Sequence, residues 1–66
     1  MYAELEMSHG LVQVYENGKV VEAYSGVRRR EARRMLESNG WSVPKGVDWM
    51  LLPPNSFRLE LSRNFD

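Results

Sequence analysis

The sequence contains no cysteine, so neither a disulfide framework nor a thiolate metal site can support it. It has one histidine, His9, in a segment that reads as a loop beside Gly10. A lone loop histidine with no sequence-near acid and no cysteine reads as a solvated turn residue rather than a general base. No glycine-rich phosphate loop is present: the five glycines are scattered at positions 10, 18, 26, 40 and 46, each at a turn or cap signal. Clustered ligands for a hard metal are also missing, because the acidic residues alternate outward along strand-like segments. Glu4 and Glu6 share one such face, which reads as solvated. An enzyme is therefore not expected, nor is a cofactor or a metal.

Long apolar runs are absent too. The longest purely apolar stretch is Trp49-Met50-Leu51-Leu52, against the roughly 20 residues of a membrane span. The first twenty residues carry Glu4, Glu6 and Glu16 and no apolar core, which excludes a signal peptide. A soluble, cytoplasmic protein is the expectation. At 66 residues the chain is one domain, 1–66, and buries only about 60% of the surface its unfolded form exposes. Such a domain is marginally stable, and association into a homodimer is one way to bury more.

What is present is a succession of short elements. Asn17-Gly18 lies between the alternating segments Val12–Glu16 and Lys19–Tyr24, the sequence cue for a two-residue hairpin. The implied register pairs Glu16 with Lys19, Tyr15 with Val20 and Val14 with Val21. Val12, Val14, Val21 and Ala23 then form the core face, leaving Gln13, Tyr15, Val20, Glu22 and Tyr24 on the other. Upstream, Ala3, Leu5 and Met7 alternate with Tyr2, Glu4 and Glu6. A connection at 8–11 sets Met7 beside Val12 and Leu5 beside Val14.

The period changes after Gly26. Residues 27–38 are rich in helix formers, with Ser25 as the N-cap, Asn39-Gly40 as the stop, and Ala32, Met35 and Leu36 on one stripe. The last third is strand-like but punctuated by Pro44, Pro53 and Pro54. It reads as Val47–Leu52 and Phe57–Leu61 in a second hairpin, with Trp41–Val43 as an extra edge strand. Trp41 and Trp49 are assigned to the core. The predicted fold is α+β: a small antiparallel sheet in chain order β-β-β-α-β-β, with one helix on one face.

Nine basic and nine acidic side chains cancel, but their distribution is uneven. Residues 1–26 hold Lys19 against four glutamates, residues 27–45 hold six cations against Glu31 and Glu37, and the remainder is slightly negative. Arg28, Arg29, Arg30, Arg33 and Arg34 all fall within the helix segment. Arg29–Arg33 and Arg30–Arg34 are like-charged i,i+4 pairs, each costing about 0.2–0.5 kcal/mol. Cations in a first helical turn also oppose the helix dipole, by about 0.3–1 kcal/mol each at low salt. Arg33–Glu37 pairing offsets part of this on a solvated face. A marginal domain that carries such repulsion points instead to an anionic partner.

Helix, Asn39-Gly40-Trp41 and a following strand together resemble the HicA-type mRNA-interferase toxins over about Arg30 to Val43. That resemblance implies a dsRNA-binding-like sheet and a catalytic histidine in a Gly-Ser-His segment. Gly46-Val47-Asp48-Trp49 stands where that segment should follow.

The functional expectation is a small non-enzymatic binding protein. Arg28, Arg29, Arg30, Arg33 and Arg34, extended by Lys45, contact an anionic partner, with nucleic acid phosphates ahead of an acidic protein surface. The alternative is a stand-alone protein–protein module, such as a phage-type or regulatory inhibitor of a larger host protein or complex. Its contact residues would be Gln13, Tyr15 and Tyr24 on one hairpin face.

Overall fold

The computed structural model describes residues 1–63. Seven strands and one helix follow the chain as β1 (Tyr2–Glu6), β2 (Leu11–Glu16), β3 (Lys19–Tyr24), α1 (Arg29–Ser38), β4 (Trp41–Ser42), β5 (Met50–Leu52), β6 (Ser56–Glu60) and β7 (Ser62–Arg63). Five strands form an antiparallel sheet in the order β3-β2-β1-β6-β5. The α+β architecture read from the sequence is therefore the one observed. The extra strand at Trp41 is present but joins β7 in a separate two-stranded ladder rather than the edge of the main sheet.

Strand β1 lies at the centre because Ala3 and Leu5 must be covered on both sides. Leu5 pairs with Val12 and Phe57, and Ala3 with Val14 and Leu59. Ala3, Leu5, Val12, Val14 and Leu59, with Ala32 and Leu36 of the helix and with Trp41 and Leu61, make the core, and Phe57 packs half-buried against it. Alternation puts Tyr2, Glu4, Gln13, Tyr15 and Arg58 on the opposite, open face.

Two expected registers are corrected. The β1–β2 turn is Met7–Gly10, so Leu5 rather than Met7 sits opposite Val12. Met7 leaves the strand and is exposed. The two-residue shift keeps the same faces inward, which is why alternation alone could not distinguish the two pairings.

The larger correction is in β3. Glu16 pairs with Lys19 and Tyr15 with Val20 as expected, but Val14 then pairs with Glu22, Gln13 with Ala23 and Val12 with Tyr24. Val21 is the extra residue of a β-bulge and is 44% exposed. From Glu22 onward the strand is turned over. Val21 and Ala23 leave the core face, and Glu22 and Tyr24 take their place. The exchange is favourable because Tyr24 covers far more apolar area than Ala23, and Glu22 brings an acceptor to Trp41.

The helix starts later than expected. Arg28, extended at φ −90° and ψ 147°, occupies the N-cap position without a side-chain cap, and Ser25 plays no such part. The stop at Asn39-Gly40 is as read: the Asn39 side chain donates to the Met35 carbonyl at 2.8 Å, and Gly40 takes φ 91°. Among the described residues, no helix is long and apolar enough to cross a membrane.

Candidate anion-binding cleft

Backbone geometry sets the helix entrance against the first turn. Gly10 adopts φ 62°, and a Cβ there would sit 2.9 Å from the Val27 carbonyl oxygen. Only glycine allows this approach. The Val27 N–H donates to the Gly10 carbonyl at 2.9 Å, and the Met7 N–H donates to the Asn55 carbonyl at 3.0 Å. These bonds tie the β1–β2 turn to the chain entering α1 and to the turn between β5 and β6, and a concavity opens between that turn, the helix entrance and the loop before β5.

This cleft of about 550 Å³ is lined by Arg28, Arg29, Arg30 and Arg33. Met7, Asp48 and Trp49 complete its wall. Its size lies within the roughly 300–1,000 Å³ typical of ligand sites. Four of the six cations proposed from the sequence are thus brought together. Arg34 is exposed and outside the cleft wall, and Lys45 is exposed in the turn closed by the Val47 N–H to the Pro44 carbonyl at 3.1 Å.

The helix arginines are not equivalent. Arg29 holds its guanidinium 4.6 Å from the centroid of the Phe57 ring, and Arg33 is half-buried. Both flank the apolar stripe of Ala32 and Leu36. Arg28, Arg29, Arg30 and Arg34 are exposed, and Arg33 is the half-buried one. Among the described residues none of the five helix arginines forms an ion pair, and the expected Arg33–Glu37 pair is not made. The contrast with Arg58 is sharp. Its Nη2 and Nε donate to Glu4 Oε2 at 2.8 and 3.2 Å, which raises its pKa, and its guanidinium lies 4.4 Å from the Tyr2 ring.

Asp48 is the one carboxylate of the cleft wall. Its Oδ1 accepts the Trp49 backbone N–H at 2.7 Å, and it too makes no ion pair among the described residues. Trp49 is half-buried, set edge-to-face on Phe57 with centroids 6.4 Å apart. Trp41, at 2% exposure, belongs to the core as expected, whereas Trp49 is both core neighbour and cleft wall. Met7, Asp48 and Trp49 went unassigned to any site in the sequence, since only the folded loops bring them to the helix entrance.

The second candidate surface is divided by the bulge. Tyr15 stacks on Tyr2 at 5.0 Å on the open sheet face, and its hydroxyl donates to Gln13 Oε1 at 3.3 Å. Tyr24, expected beside them, lies on the opposite face instead. Its hydroxyl donates to Glu22 Oε1, which also accepts the Trp41 indole N–H at 2.8 Å. Burial and this hydrogen bond push the Tyr24 pKa up to about 12.

His9 has an acid neighbour that the sequence reading overlooked three residues upstream. Its Nδ1 lies 2.5 Å from Glu6 Oε2, with the His9 side chain 81% exposed. That hydrogen bond, joined by the Ser8 backbone N–H, holds the Glu6 carboxyl down to about 2. The pair closes the turn at the surface. Among the described residues, no cluster of three or more acidic or histidine side chains is placed to hold a metal ion.

Comparison with protein-family models, with curated proteins and with solved structures returns no match to this chain.

Proposed function

We propose that this is a small, non-enzymatic binding protein whose helix entrance contacts an anionic partner, with the phosphate backbone of nucleic acid the favoured one. The observation that carries the reading is the set of guanidinium groups of Arg28, Arg30 and Arg33 around a single cleft, without ion pairs among the described residues, with Arg29 beside them over the Phe57 ring. Guanidinium forks match phosphate oxygens in charge and geometry. The uncapped first turn of α1 adds backbone N–H groups and the positive end of the helix dipole at the same place. Arg34 and Lys45 contribute longer-range attraction in this reading, not contacts in the cleft.

The test is binding of fluorescently labelled nucleic acid of mixed sequence. Arg30→Gln combined with Arg33→Gln should weaken binding about tenfold or more at low salt. Arg29 is left in place because its ring contact supports the fold. Unchanged affinity in the double variant rules out the helix as the contact.

An interaction module for another protein is the second reading, favoured by the open sheet face. Tyr2, Tyr15 and Arg58 form a stacked, amphipathic row there that no helix covers. Under this reading Tyr15→Ala abolishes capture of the partner protein and leaves nucleic-acid affinity untouched, whereas the arginine variants do the reverse.

A further inference from the structure

The cleft is chemically two-ended. Arg28, Arg29, Arg30 and Arg33 supply only donors and positive charge. Asp48 and Trp49 supply an acceptor and a large aromatic surface. The opposite charges share one cavity of about 550 Å³ yet make no ion pair across it among the described residues. A carboxylate that had collapsed onto a guanidinium would have neutralised the site. Here Asp48 is held instead by the Trp49 N–H through Oδ1, which leaves Oδ2 to accept from a visitor.

Such a cleft disfavours a continuous phosphate track, because Asp48 repels an anion approaching its end. It also disfavours a duplex, whose stacked and paired bases cannot reach Trp49 and Asp48. The complementary ligand carries an anion at one end and a flat, neutral, hydrogen-donating ring at the other. We infer that the cleft receives one unpaired nucleotide of a single-stranded nucleic acid, its phosphate against the arginines and its base against Trp49 and Asp48. This rests on the nucleic-acid reading above and narrows it. Single-strand recognition by cationic grooves with interleaved aromatic side chains follows the same physics. An acceptor-only carboxylate selects bases with an exocyclic amino group, as when Asp or Glu accepts from cytosine N4.

Cytosine and uracil isolate the base contribution, since the two homopolymers carry equal charge and similar ring area. The experiment measures, at neutral pH and fixed salt, the affinity of the whole protein for labelled oligocytidylate and oligouridylate of about eight nucleotides, and for a duplex of equal length. The expected result is cytosine tighter than uracil by about threefold or more, with the duplex weaker than both single strands. In Asp48→Ala, oligouridylate should bind more tightly through loss of the negative charge, and the cytosine preference should vanish. Asp48 is exposed, so this variant keeps its core, and the wild-type comparisons stand without it.

Equal affinity for cytosine and uracil in the wild type, or a preference that survives Asp48→Ala, overturns the inference. A duplex bound as tightly as single strands overturns it too, while leaving the helix as a phosphate contact. No binding to any of the three overturns both readings.

Discussion

The Trp41 indole N–H donates to Glu22 Oε1 at 2.8 Å, joining the two-residue strand after the helix to the turned-over half of β3. The same oxygen accepts the Tyr24 hydroxyl. One carboxylate therefore ties β3 to β4. Glu22→Ala should destabilise the domain by about 1–3 kcal/mol, the range for hydrogen bonds to a charged group in a half-buried setting. Thermal unfolding of Glu22→Ala, Tyr24→Phe and the double variant checks this. The two effects should fall short of additive because they share one acceptor.

Tyr24 also sets an alkaline limit. Its pKa rises from 10.0 to about 12 on folding, by burial first and then by the Glu22 bond. A group with a raised folded pKa stabilises the fold below its unfolded pKa, and that contribution is lost as pH climbs to the folded value. Stability should therefore fall between about pH 10 and 12, and Tyr24→Phe should flatten that part of the curve. Denaturant unfolding across this range gives the comparison, and an unchanged slope in Tyr24→Phe counts against the assignment.

The bulge makes a sharper demand on β3. Val21→Lys should change stability by less than about 0.5 kcal/mol, as at an ordinary surface position. Leu36→Ala, which empties a fully buried site in α1, should cost about 2–5 kcal/mol. In the unbulged register Val21 faces the core, so a severe loss in Val21→Lys contradicts the pairing observed.

This strand shows where the sequence was legible. Asn17-Gly18 specifies the turn and its first two pairs correctly, because turn chemistry is local. Nothing local marks Val21 as an extra residue. The bulge is selected by the bond from Glu22 to Trp41, nineteen residues downstream, and by the packing of Tyr24 on the core, and strand alternation carries no such information. The core stripe of Ala32, Met35 and Leu36 and the helix stop were legible for the opposite reason, resting on periodicity and capping within one segment. The same division runs through the site. The arginines are visible as a run of charge, but Asp48 and Trp49 join them only through the Gly10–Val27 contact and the loop before β5.

Acid pH reports on the first turn. Glu6 has an ordinary pKa of 4.5 and is held at about 2 by His9 and the Ser8 N–H. A depressed carboxylate stabilises the fold above its unfolded pKa, and the contribution disappears as pH falls from about 4.5 to about 2. His9→Ala should return the Glu6 pKa toward 4.5, read from its side-chain carboxyl resonance in an NMR titration. A Glu6 resonance that still titrates near 2 would assign the shift to the backbone N–H groups of residues 8 and 9.

The central claim is that the cleft arginines hold phosphate, and the salt dependence of binding tests it most directly. For a single strand, the slope of log K against log salt is about −0.7 per phosphate neutralised. With one phosphate held jointly by the cleft arginines, a slope of about −0.7 is predicted, flattening toward zero in Arg30→Gln combined with Arg33→Gln. Identical slopes for the wild type and the double variant would contradict the account.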